Sequence, residues 1–199
     1  MRGRITWLDR LKIVAAFAVV MTHIASIPWQ ALPASSTAWA ISSVYEVATR
    51  FCVPAFFFVT GALLLNPNKK IASDKLCKYI VRASMLALIV SALYVLFELS
   101  FDGWQGWRYL ISKTLDGPYF IWYLWVLVGV YLLMPILRAI ASDRNLLTYS
   151  CVVAFVFIIG KSTIISMFPG SLADIAYGNI IIFNRGGEAL FYCLLGGWV

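Results

Sequence analysis

Residues 11–27 read LKIVAAFAVVMTHIASI, an apolar run approached through Asp9, Arg10 and Lys12 that carries His23, the single histidine of the chain. An imidazole inside an oily helix costs free energy unless something satisfies or uses it. As a helix, the run places His23 about 16 Å beyond Lys12 along the axis, roughly half a bilayer core. The eleven-residue step also brings the two side chains within about 20° of each other around that axis. Lys12, Ala16, Val19 and His23 therefore form one stripe, with Asp9 to its side. A cation at the rim and a proton carrier deeper on the same face bracket the space for an anionic ligand arriving from the basic side. The plainer alternative is that His23 hydrogen-bonds a neighbouring helix and that Lys12 snorkels to the headgroups.

Working outward, the same oiliness continues along all 199 residues. The hydrophobic fraction is 62% and the charged fraction 13%, against about 45–50% and about 25% in soluble domains. The composition identifies an all-α, polytopic transmembrane helix bundle. Five full spans are expected, at about residues 11–28, 43–65, 79–99, 119–141 and 146–167, and the start of a sixth at 188–199. The last run holds a dozen residues where a span needs about twenty, so the expectation is that residues 1–199 are the N-terminal part of a longer membrane domain. Pro54 lies inside the second run and is expected to kink it. Ser73 or Asp74 is a plausible N-cap for the third span. WQGWRYLISKTL, residues 104–115, has the pattern of a short interfacial amphipathic helix.

The formal charge of +7 is compatible with nucleic acid binding in a soluble protein, but its distribution excludes that use here. Arg2, Arg4, Arg10 and Lys12, then Lys69, Lys70, Lys75, Lys78 and Arg82, then Arg138 and Arg144 fall at alternate ends of the runs. The opposite ends carry only Arg108, Lys113, Lys161 and Arg185. This bias puts the N-terminus in the cytoplasm and His23 in the outer half of the membrane. The cysteines, Cys52, Cys77, Cys151 and Cys193, stand singly and have no metal-ligand spacing; they read as small packing residues, and no metal is expected.

Four segments, in order, resemble the acyltransferase-3 family of integral membrane enzymes. WLDRLKIVAAFAVVMTHIAS is similar to the family's opening helix, in which a basic residue and a His are separated by ten positions; Lys12 and His23 keep that separation. RFCVPAFFFVTGALLL resembles the second helix through Arg50, Pro54, Phe56–Phe58 and Gly61, with Thr60 where Ser is usual. KLCKYIVRASML resembles the basic start of the third, its arginine pair reduced to Arg82 with Lys75 and Lys78 nearby. WYLWVLVGVYLLMPIL resembles a Trp-rich helix, although Phe120-Ile121-Trp122 stands where relatives often have His-Leu-Trp.

The resemblance implies a membrane O-acyltransferase of a bacterial inner membrane. Such an enzyme moves an acyl group, commonly acetyl, from cytoplasmic acyl-CoA (acetyl-CoA) to a hydroxyl of an envelope polysaccharide or lipid-linked sugar. It implies His23 as the base or acyl carrier, and Lys12, Lys75, Lys78 and Arg82 as the groups that receive the coenzyme A phosphates. Arg50 is either an oxyanion partner or half of an ion pair with Glu46, one turn away. Asp9 would orient a basic neighbour, Arg10, Lys12 or Arg82. Glu46 is a possible partner of His23. The rival readings are a non-catalytic sensor or transporter-like membrane module, or an inactive remnant. The orientation is checked by alkaline phosphatase fusions: activity is expected for fusions in the segment after residue 28 and none in the connector that holds Lys69 and Lys70.

Overall fold

In a computed structural model the described residues are 6–67, 69, 71–156 and 185–199. Eight α-helices are described: α1 Thr6–Ala31, α2 Thr37–Thr49, α3 Cys52–Leu64, α4 Ser73–Asp102, α5 Trp107–Asp116, α6 Trp122–Ser142, α7 Arg144–Ala154 and α8 Arg185–Gly197. A 3-10 turn, Tyr119–Ile121, leads into α6. Four helical stretches are long and apolar enough to cross a membrane: Thr6–Ala31, Thr37–Leu64, Ser73–Asp102 and Trp107–Ser142. They correspond to the first four expected spans. The fifth begins as α7, and its continuation, including Gly160-Lys161-Ser162 and the loop at 169–184, lies outside the described residues. Phe17, Ile27, Val47, Phe97 and Phe101 are among many large apolar side chains left on the outer faces, where lipid rather than water would meet them.

Local chemistry moves several boundaries. The first loop is short, residues 32–36, because α1 runs on through Pro28 and loses one backbone bond rather than ending. Ser36, not a residue near 43, starts the next helix: its hydroxyl accepts from the Trp39 amide at 3.1 Å. The second span is not kinked at Pro54 but broken one turn earlier, between α2 and α3. Proline's missing N–H would have served the Arg50 carbonyl, so the interruption falls at Arg50–Phe51, while Pro54 itself fits in the first turn of α3. Ala72 in extended geometry, rather than Ser73 or Asp74, occupies the N-cap of α4. The interfacial helix is α5, held between Gly106 (φ 93°) and Gly117 (φ 69°).

The packing centre is α3, which touches α1, α6 and α8. Phe57, Leu64 and Leu65 join Leu127, Val130, Met134 and Leu137 of α6 and Ala189, Cys193 and Leu194 of α8 in one core. A smaller cluster, Ala15, Ala18, Cys52 and Ala55, seats α1 on α3. Along α4 the buried face repeats every fourth residue, Ala83, Ala87, Ser91, Val95 and Leu99, which is the ridge expected of a helix packed against neighbours in lipid. Arg138 of α6 donates to the carbonyls of Leu64 and Lys69, satisfying the end of α3. The cysteines are free; Cys52 and Cys193 are buried packing residues, whereas Cys77 is exposed and is not.

Small residues let α3 and α8 meet backbone to backbone. A Cβ at Gly61 would lie 1.8 Å from the Cys193 carbonyl oxygen, and one at Gly196 would lie 2.0 Å from the Phe58 oxygen. Thr60-Gly61 is thus a small-residue site of close helix approach, with α8 as the partner. Gly61→Val is accordingly expected to cost about 1–3 kcal/mol or more through overpacking. Gly129→Ala, where nothing lies within 4 Å, is expected to be nearly neutral. Thermal unfolding of the two variants in detergent checks the contrast.

Candidate functional site

The stripe on α1 is turned toward α6. At its deep end the His23 ring lies edge-on to Tyr119, with centroids 5.8 Å apart, and to Phe120 at 6.4 Å. At its rim Lys12 lines a cavity of about 310 Å³ among α1, α3, α4 and α6, together with Phe56, Thr60, Lys69, Tyr79, Tyr123, Leu127 and Tyr131. The chain direction of α6 explains the arrangement: it starts beside His23 and descends past Lys12, so one helix covers both ends of the stripe. Among the described residues none hydrogen-bonds a ring nitrogen of His23; the bond recorded there is from the Ser26 hydroxyl to the His23 backbone carbonyl, 2.9 Å. The half-buried imidazole thus keeps both nitrogens for another group, one as donor and one as acceptor in its neutral form.

The other charged residues fall into three settings. Asp9 forms an ion pair with Lys12 at 2.9 Å, one turn away. Of the three basic neighbours considered for it, Lys12 is thus an ion-pair partner. Glu46 is turned to Arg50 at 3.2 Å, its side chain 10% exposed and that of Arg50 63% exposed. Glu46 makes no ion pair with His23 among the described residues, and its Oε2 is buried without a partner. On α4, Lys75 stands 5.9 Å over the ring of Tyr79, which itself borders the Lys12 cavity. Lys78 and Arg82 lie instead along an exposed groove of the same helix with Asp74, Cys77, Val81 and Met85. Of the four basic residues, Lys12 alone lines the cavity; Lys75 reaches only Tyr79 of its wall, and Lys78 and Arg82 line a neighbouring face.

Beside His23, α1 and α2 are joined by a hydroxyl relay. Thr22 Oγ1 is 2.7 Å from Thr49 Oγ1 and also donates to the Ala18 carbonyl, with Cys52 Sγ at 3.9 Å. Such bonds are useful glue where water is scarce. The sequence reading missed this relay, because Thr22 and Thr49 are 27 residues apart and each alone passes for an ordinary helical threonine. It also did not single out the tyrosines of α4 and α6. Tyr123 lies against both Phe56 (5.8 Å) and Phe57 (5.1 Å), and Tyr79 against Tyr131 (5.8 Å), giving the Lys12 cavity an aromatic wall. Their period in the sequence, together with Lys12 and Thr60, was the signal available. Phe120, where relatives often carry a second histidine, lies against His23 itself.

Fold and site thus define a multi-pass helical membrane protein with an ionisable stripe facing its bundle. A family model described as an acyltransferase domain, that of acyltransferase 3, matches residues 5–199. The chain belongs to this family of membrane acyltransferases. No curated protein and no solved structure matches it.

The Glu46–Arg50 pair generates a stability expectation. Arg50→Ala leaves a buried carboxylate without its cation, a loss of about 1–3 kcal/mol, whereas the double variant with Glu46→Gln regains most of it. A thermal-unfolding double-mutant cycle measures the coupling; additive effects would rule it out.

Proposed function

We propose that the chain moves an acyl group, acetyl in the simplest case, from cytoplasmic acyl-CoA to a hydroxyl of an envelope polysaccharide or lipid-linked sugar. Membership of the family supports acyl transfer in general. The observation that carries the finer reading is the shared orientation of Lys12 and His23 toward α6, with a cavity at the first and uncommitted ring nitrogens at the second. In this reading His23 accepts the proton of the acceptor hydroxyl as its oxygen attacks the thioester carbonyl carbon. The carbon–sulfur bond then breaks, and the sulfur leaves with the proton that the imidazolium returns. The products are an ester and free coenzyme A, so protons and electrons balance without a metal.

Lys12, paired with Asp9, meets the donor's phosphates at the cavity, and Lys75, over the ring of Tyr79 in the cavity wall, adds a second ammonium point charge nearby. Lys78 and Arg82, on the adjacent face of α4, assist capture from the cytoplasm by the long-range attraction of like-signed charges for an anion. The apolar and tyrosine-lined interior suits the pantetheine arm. Arg50 can reach a developing oxyanion only by leaving Glu46, so its part in this reading is to neutralise that carboxylate and hold the α2–α3 break. The protein lies in a bacterial inner membrane with its N-terminus in the cytoplasm, which puts Lys12 on the donor side.

The test is acyl transfer from labelled acetyl-CoA into envelope glycan by the full-length protein. His23→Ala is expected to lower turnover by about 10²–10⁴-fold, the usual worth of a general base. Lys12→Ala is expected to raise the KM for acetyl-CoA by about tenfold, equal to about 1.4 kcal/mol, with a smaller change in kcat. Ordinary turnover in the His23 variant would remove its assigned role.

A further inference from the structure

A second cleft, of about 220 Å³, opens at the far end of α4, bounded by Tyr94 and Glu98, by Lys113 of α5, and by Gly117 and Tyr119. It is about 22 Å along α4 from Tyr79 and the Lys12 cavity, taking the helical rise between residues 79 and 94. Tyr119 joins the cleft to the site, since its ring also lies edge-on to His23. We propose that this cleft is the acceptor subsite, taking a neutral polyhydroxylated ligand, a sugar, with one hydroxyl presented to His23. The proposal rests on the transfer reading above.

Two observations favour a sugar over an anion or an acyl chain, and a third bears on the shape of the cleft. Glu98 and Lys113 face the same cleft, but among the described residues no ion pair joins them. The carboxylate and the ammonium thus each keep hydrogen-bonding capacity, and their charges cancel toward a bound ion. Tyr94 and Glu98 stand one turn apart on α4 and border the same cleft, and the tyrosines supply flat faces of the kind that apolar sugar edges cover. The turn that shapes the cleft also has no slack. Gly117 has φ 69°, and a Cβ there would lie 3.1 Å from the hydroxyl of Ser91, a fully buried group with no partner among the described residues. A substituted turn would displace Lys113 and Tyr119 together, so Gly117 fixes the spacing between the polar wall and His23.

The experiment expresses the full-length protein and its Glu98→Gln, Lys113→Met and Lys113→Arg variants in cells lacking the gene. Acyl groups on envelope glycan are counted by mass spectrometry, and acetyl-CoA binding is measured on the purified proteins in detergent. Glu98→Gln and Lys113→Met are expected to lower glycan acylation by about tenfold or more, the effect of one lost hydrogen bond to a charged group. Their affinity for acetyl-CoA should match the parent, and Lys113→Arg should retain most acylation. Parental acylation in both variants would overturn the subsite and leave the transfer reading intact. Parallel loss of acetyl-CoA binding would also overturn it, by showing a role in the donor site or the fold. Should the parent itself add no acyl group to glycan, the transfer reading fails, and the subsite with it.

Discussion

The backbone contact between α3 and α8 governs much of what this molecule can do. In a bilayer, apolar side chains gain little by leaving lipid for one another, so helix association depends on close packing and satisfied polar groups. Gly61 and Gly196 remove the side chains that would hold the two backbones apart. With α8 on one flank, α3 presents Ala55 and Cys52 to α1 and Phe56 and Phe57 to Tyr123 of α6. That double engagement sets the separation between α1 and α6, and the ionisable stripe occupies the space between them. Positioning of the site thus traces back to a contact between backbones some distance from it.

Charged groups in this bundle divide by what they face. Asp9 and Lys12, and likewise Glu46 and Arg50, are neighbours on a single helix and answer each other locally. Arg138 spends its guanidinium on the carbonyls of Leu64 and Lys69, the groups that a helix end leaves open. In each arrangement a charge or an open carbonyl finds its partner nearby, which matters where an unmatched polar atom is expensive. His23 at one place, and Glu98 with Lys113 at another, are different. Each borders a pocket or an aromatic edge and retains bonding capacity, and retained capacity is the property that chemistry on a ligand requires. One pocket holds Lys12, at the rim end of the stripe, and the other holds Tyr119, whose ring lies against His23 at the deep end.

A good part of this was legible in the chain itself. Apolar run length gave the first four spans, and helical periodicity placed Lys12 and His23 on one face, because both depend only on neighbours along a single helix. The spacing of ten residues between them carried the family. The small residue at Gly61 announced close packing, and the pairing of Asp9 with a basic neighbour was within reach since its partner is three residues away. Boundaries were less legible. Pro28 and Pro54 each withhold one donor, but whether a helix continues or breaks depends on what the orphaned carbonyl meets.

What the tertiary structure alone decided is which faces meet. Nothing in the sequence said that the Thr22 hydroxyl would find Thr49, that Phe120 would lie against His23, or that Lys12 would line a cavity with Tyr79 and Tyr131 while Lys78 and Arg82 look elsewhere. Nor could it turn Glu46 away from His23 toward Arg50. The reason is physical: a hydrophobic period fixes how a helix rotates relative to its own axis, whereas its depth and azimuth against other helices follow from the packing of small and large side chains across many interfaces at once. The residues that can act were written in α1; the company they keep was settled by α3 and α6.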